Sequence, residues 1–151
     1  MERTLVLVKP DGLQRGLAGR IIARLEDRGL KIVGAKMLRM DMELARAHYA
    51  AHVDKPFFAG MAAFMTSSPL LALAVEGKNA AEAVRTTMGA TDPQRAAPGT
   101  IRADLAQDIE RNLIHGSDSP EAAEREIGIF FEPGELQDYA LQSAPWVVTG
   151  S

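Results

Sequence analysis

The chain has no cysteine among its 151 residues. Disulfide scaffolds, cysteine-ligated zinc, iron–sulfur clusters and thiol catalysis are therefore excluded, and a reducing compartment suits such a chain. A basic excess is also missing. Lysine and arginine total 17 against 20 aspartate and glutamate, a net charge of −3. Nucleic-acid binders usually carry a basic stripe, so nucleic acid is expected to be at most a weak, nonspecific partner. No apolar run approaches the ~20 residues of a membrane span. The opening Met1-Glu2-Arg3-Thr4 leads directly into a strand-like run, with no signal or transit pattern. A soluble, cytoplasmic domain is the expectation. The glycine motifs that cradle phosphates, G-x-x-x-x-G-K-[ST] and G-x-G-x-x-G, are absent, as is the zinc motif H-E-x-x-H.

What remains is an ordinary globular balance, 46% hydrophobic and 25% charged, of a length that suits one domain spanning 1–151. Residues 4–8 (TLVLV) form a continuous apolar run that predicts a central strand covered on both faces, ended by the turn residues Lys9-Pro10-Asp11-Gly12. Residues 17–28 repeat Leu17, Ile21, Ile22 and Leu25 at helical spacing, with Gly29 suited to the position after the helix end. Alternation predicts a strand over 31–40. Helices are expected over 42–51, 56–66 and 80–88, and a buried strand over 70–75. The Pro- and Gly-rich stretch 89–100 reads as a long functional or interfacial loop. Ile101, Leu105 and Ile109 lie four apart and predict a helix over 101–112. Residues 115–119 read as a turn, with Ser119 as N-cap and Pro120 at the first helical position of a helix to about 127. A last short strand is expected over 129–131, and 134–143 is polar and compatible with one more helix. The order β, α, β, helices, β, α, loop, α, β predicts a single-domain α+β fold: a ferredoxin-like β-α-β-β-α-β antiparallel sheet covered by helices.

Chemistry has few carriers here. Gly16-Leu17-Ala18-Gly19 is a lone G-x-x-G and reads as a turn. His48 and His52 sit four apart, a spacing that can hold a metal, but no third ligand is near in sequence. They read as solvated or hydrogen-bonded helix residues. His115 differs in context, lying in Asn112-Leu113-Ile114-His115-Gly116-Ser117-Asp118-Ser119 with the acids Glu121, Glu124 and Glu126 following. A neutral imidazole with one ring nitrogen on a carboxylate leaves the other free to attack. Lys9, at the end of an apolar strand, with Arg85 and Arg102 are candidate phosphate binders, because guanidinium forks match phosphate oxygens.

Taken together, these segments resemble the nucleoside diphosphate kinase family over nearly the whole chain. The signature N-x-x-H-G-S-D-S is matched by residues 112–119, followed by Ala123-Glu124-Arg125-Glu126-Ile127. Further matches are Val8-Lys9-Pro10-Asp11-Gly12, Asp54-Lys55-Pro56-Phe57-Phe58-Ala59-Gly60, Met88-Gly89-Ala90-Thr91-Asp92-Pro93 and Pro98-Gly99-Thr100-Ile101-Arg102. The resemblance implies transfer of the terminal phosphoryl of a nucleoside triphosphate to a nucleoside diphosphate, ribo or deoxy, by a ping-pong route through a phosphohistidine at His115. It implies that Glu126 holds the other ring nitrogen, with Ser117 supporting Glu126. Lys9, Tyr49, Arg85, Thr91 and Arg102 match phosphate-gripping positions, and Asn112 with Lys9 the positions that meet the ribose. Phe57 and Ile109 match the residues between which the base stacks. Asp118 matches the acid near a bound Mg²⁺. The extended tail through Trp146-Val147-Val148 implies a homo-hexamer rather than a tetramer. A relative of the same fold that binds nucleotides without turnover is the alternative, and an intact His115 signature speaks against it.

Overall fold

The computed structural model describes residues 1–150; Ser151, the last of the small polar end residues, lies outside the described residues. The chain order is β1 (Glu2–Val8), α1 (Pro10–Gln14), α2 (Ala18–Asp27), β2 (Lys31–Leu38), α3 (Met42–His48), α4 (Phe58–Thr66), β3 (Leu70–Gly77), α5 (Ala80–Met88), α6 (Ile101–Leu105), β4 (Ile114–Gly116) and α7 (Pro120–Phe130). Short 3₁₀ turns lie at Ala50–His52, Pro93–Arg95, Pro133–Glu135 and Ala144–Trp146. The four strands form one antiparallel sheet in the order β2-β3-β1-β4, which is the ferredoxin-like arrangement.

β1 is central, as its unbroken apolar run predicts. Side chains alternate across a strand, so its residues divide between two cores. Leu5 and Leu7 join Val33, Ala45, Phe58, Met65, Ile127 and Phe130 on one face. Val6 and Val8 join Ile21, Leu25, Val84, Met88 and Ile101 on the other. α3, α4 and α7 thus cover one face, and α2, α5 and α6 the other.

Helix ends follow local chemistry. α2 closes with Gly29 at φ +89°; Gly29 N–H donates to Glu26 and Leu30 N–H to Leu25, a Schellman pair that satisfies end carbonyls. Ser119 accepts from Ala122 N–H at 3.1 Å and caps α7, with Pro120 first in the helix. Thr100 caps α6 through Ala103 N–H.

The structure departs from the sequence reading in five places. The turn expected after Val8 is the short helix α1, which Pro10 starts from its first position. The helix expected over 101–112 stops at Leu105, and 106–113 runs irregularly through a bridge between Asp108 and Arg111. Asp108 takes the Glu110 N–H at 2.7 Å, an Asx-type turn that competes with helix. His115 lies not in a turn but in β4, and α7 continues through Phe130, so 129–131 is no strand. Three residues carry too little pattern to separate strand from helix; pairing with β1 decides for 114–116. The expected helix over 134–143 does not form; that stretch holds only the end of a 3₁₀ turn.

β4 lies close against α5. A Cβ at Gly116 would stand 2.9 Å from Val84 Cγ1 and 3.0 Å from Met88 Sδ. Gly116→Ala should therefore cost about 1–3 kcal/mol of stability through overpacking. Urea unfolding would measure it, and an unchanged midpoint would show that β4 can move off α5.

Candidate active site

The candidate residues converge from both ends of the chain because β4 lies beside β1. Leu7 faces His115 in the register of that pair. β1 thereby brings Lys9, just past its end, next to the segment 112–117. Lys9 N–H donates to Leu113 carbonyl at 2.9 Å, and Lys9 Nζ donates to Asn112 Oδ1 at 2.6 Å. Asn112 Nδ2 in turn donates to the Thr91 carbonyl at 2.9 Å, tying in the loop after α5.

His115 is half-buried. Its Nε2 lies 2.7 Å from Glu126 Oε1, and Ser117 Oγ donates to the same oxygen at 3.0 Å. Among the described residues its Nδ1 has no hydrogen-bond partner, so the ring is anchored at one nitrogen and open at the other. Burial works to raise the Glu126 carboxyl, but the hydrogen bond with His115, aided by charge and by Ser117, outweighs it and holds the group below its ordinary value. A carboxylate in that position fixes the imidazole tautomer.

Three cations stand around this pair in different states. Burial lowers Lys9 to about 8, and the Arg102 and Arg111 charges push the same way against Asp11. Arg102 is 5% exposed and spent on backbone: Nε to Asn112 carbonyl at 3.2 Å, Nη1 to Gly89 at 3.1 Å, and Nη2 to Ile114 at 2.6 Å. Burial, then the Arg85 charge, lowers Arg102 to about 10. Arg85 is more open; its Nη1 makes a 2.6 Å ion pair with Asp118, whose carboxylate is largely exposed. Burial pushes the Tyr49 phenol up. Phe57 and Ile109 stay 52% and 51% exposed, so each offers a free apolar surface. A cavity of about 410 Å³ is lined by Arg85, Asp118, Ser119 and Glu2 and by neither Phe57 nor Ile109, and another, of about 450 Å³, is lined by Tyr139 and Val147 and not by His115.

Several contributors escaped the sequence reading. Asp11 is buried, and its Oδ2 accepts the Leu113 N–H at 3.0 Å, holding a residue at φ +75° two places before His115. Phe64 lies under Lys9 at 5.4 Å and under Arg111 at 4.3 Å. Arg102 does backbone lacing that a phosphate-binding motif does not announce. His48 is neither solvated nor hydrogen-bonded: it is 5% exposed, with both ring nitrogens buried and unpartnered. No sequence signal marks it, since burial of a lone helix histidine depends on what packs there.

The fold and this centre define an α+β protein that presents a carboxylate-oriented histidine near a buried lysine and two arginines. Known proteins narrow the class. The sequence model of the family described as nucleoside diphosphate kinase matches residues 2–136. A nucleoside diphosphate kinase of Pelotomaculum thermopropionicum is 58% identical over 147 residues, covering 97% of this chain and 99% of that protein. The structure of a halophilic nucleoside diphosphate kinase from Halobacterium salinarum in complex with CDP superposes with a TM-score of 0.95 at 56% identity, covering 97% of this chain and 98% of that one. A nucleoside diphosphate kinase family protein from Babesia bovis gives a TM-score of 0.95 at 39% identity, covering 98% of this chain and all 100% of that one. The chain belongs to the nucleoside diphosphate kinase family.

A carboxyl held below its unfolded value near 4.5 stabilises the fold above that pH and loses the contribution as the pH falls. Glu126→Gln should therefore narrow the stability difference between neutral and mildly acidic solution. Urea midpoints across that range would show it; an equal difference in both proteins would mean that Glu126 is not held down by its neighbours.

Proposed function

We propose that the chain is a nucleoside diphosphate kinase that works through a phosphohistidine at His115. The observation that carries this is the state of the His115 ring: Nε2 is anchored on Glu126 and Nδ1 makes no hydrogen bond. The free nitrogen's lone pair attacks the terminal phosphorus of a nucleoside triphosphate. A P–N bond forms, the bridging P–O bond breaks, and the nucleoside diphosphate leaves. The terminal phosphate oxygen of a second diphosphate then attacks the same phosphorus and breaks the P–N bond. Each half-reaction is the other in reverse, which gives ping-pong kinetics.

Phosphoryl transfer asks mainly for positioning and charge neutralisation. Glu126 keeps the ring's orientation and stabilises the positive charge that develops on it, with Ser117 steadying the carboxylate. Lys9, Arg85 and Arg102 supply positive charge, and Thr91 and Tyr49 supply hydroxyl donors. A phosphate beside Lys9 favours its charged form, which burial alone disfavours. Lys9 and Asn112, which are in contact at 2.6 Å, meet the ribose in this reading. Phe57 and Ile109 grip the base by its faces; stacking reads no edges, so nucleotides of any base are accepted, and both ribo- and deoxynucleotides go with this reading.

The family's divalent cation is Mg²⁺ in this reading. Asp118 fits such an ion as an outer partner: it is one exposed carboxylate, already paired with Arg85, and a hard cation that keeps its waters and binds mainly to nucleotide phosphates needs no closed protein cage. The ion would neutralise phosphate charge. The whole chain acts as one domain, and a homo-hexamer goes with this reading; Trp146, 91% exposed near the chain end, leaves an indole for a neighbouring subunit. A cytoplasmic location goes with it as well; no helix of the described residues is long and apolar enough to cross a membrane.

The test is incubation with ATP and Mg²⁺ without acceptor. The expected product is an acid-labile, base-stable phosphoprotein that added GDP discharges. His115→Ala should take no label while still binding nucleotide. A protein that binds ATP but never takes the label would instead be a nucleotide-binding scaffold. Phe57→Ala should weaken nucleotide binding by about 1–3 kcal/mol, the worth of a base–aromatic stack. Calorimetric titration would measure it, and an unchanged affinity would place the base elsewhere.

A further inference from the structure

His48 has none of the roles assigned above, and its setting is unusual. It closes α3 and is 5% exposed. Both ring nitrogens are buried, and neither has a hydrogen-bond partner among the described residues. Buried polar groups without partners are costly and few in native structures. A leucine would fill the space without that cost, so the ring itself is the feature to explain.

Three rings surround it. Tyr49 lies 4.5 Å away between centroids at 67°, His115 at 4.8 Å and 85°, and Phe130 at 5.2 Å and 80°. All three contacts are edge-to-face, the arrangement that aromatic quadrupoles favour. Burial, reinforced by the His115 charge, pushes His48 down to about 3, so the ring is neutral under working conditions. Neutrality suits the place, because candidate ligating atoms of His48, His115 and Glu126 lie within 4.8 Å of one another. An imidazolium at 48 would compete with His115 for the one carboxylate.

The hydrogen bond to Glu126 holds His115 at a single atom. A ring held at one nitrogen can still turn about that contact, and turning moves Nδ1 out of line with an incoming phosphorus. A rigid surface nearly perpendicular to the ring supplies the second constraint. We propose that His48 is a positioning residue: packed edge-to-face against His115, it fixes the plane of that ring so that Nδ1 stays aimed into the cleft while Nε2 stays on Glu126. The proposal rests on His115 being the phosphoryl acceptor.

His48→Leu tests it. Leucine roughly conserves volume and suits the buried site, so the fold is kept, but it offers no flat edge. The single-turnover rate of phosphoenzyme formation from ATP and Mg²⁺ should fall by about tenfold, since small misplacements of reacting atoms cost at least that much. The half-saturating ATP concentration should shift far less than the rate, because of the three rings packed on His48 one, Tyr49, is a proposed nucleotide-binding residue. Carbon-13 spectra of the His115 ring should show one set of signals in the wild type and averaged signals, those of a turning ring, in His48→Leu, while Glu126 keeps the tautomer in both. His48→Phe, which restores an aromatic edge, should recover most of the rate and the single set of signals. A His48→Leu enzyme with wild-type rate and wild-type His115 signals overturns the proposal, as does a His48→Phe enzyme as slow as His48→Leu. Should His48→Leu not fold, the His115 signals of His48→Phe decide alone: one set supports the proposal, averaged signals overturn it. If the wild type takes no label, the kinase reading fails. The spectra need no nucleotide and still show whether His48 orders the ring.

Discussion

Three residues of β4, Ile114–Gly116, pair with Val6–Val8 of β1, and the geometry of the whole site is referenced to that short ladder. It puts residue 115 beside residue 7 and brings the end of β1 to residues 112 and 113. Two further sets of bonds hold it. Arg102 binds the carbonyls of Asn112 and Ile114, on either side of Leu113, and Asp11 takes the Leu113 N–H. Leu113 sits in a left-handed conformation that costs a non-glycine residue energy, and it is bonded at both its N–H and its carbonyl. The result is a rigid backbone from which His115 and Asn112 project.

Electrostatics at the site follow from the same burial. Lys9 and Arg102 are lowered because they are withdrawn from water and stand near other cations, with the Asp11 carboxylate working against the shift in both. Arg85, closer to solvent, is paired with Asp118. The site without nucleotide thus holds positive charge that its own acids neutralise only in part. A polyphosphate is the complementary ligand, and its binding would exchange internal partners for phosphate oxygens. The same logic separates the arginines: Arg102 contributes as a laced, buried charge, and Arg85 as a movable one.

The legible part of the fold was the part with long, periodic signals. The apolar run of β1, the Leu17–Leu25 spacing of α2 with Gly29 after it, and the Ser119-Pro120 start of α7 all identify themselves through local physics. β4 did not, because three residues carry no period and its strand character exists only through β1. The segment 106–112 reads as helix because Ile101, Leu105 and Ile109 are evenly spaced. Asp108 turns the chain instead, and Ile109 ends half-exposed. The Ile129-Phe130-Phe131 run read as strand but is the end of a helix that buries Phe130 against His48.

By itself, the order of residues determined the α+β class, the central strand, most helix boundaries and a set of chemistry-bearing side chains, because propensity, capping and hydrophobic period act over a few neighbouring residues. The signature around His115 placed the chain in its family for the same reason: its side chains are adjacent in sequence. Tertiary structure alone decided that His115 stands in a strand, that Arg102 is consumed by backbone carbonyls, that Asp11 pins Leu113, and that His48 is a dry ring against the nucleophile. Each of these depends on a partner ten or more residues distant, and whether such groups meet is set by the packing of the sheet and its two helical layers.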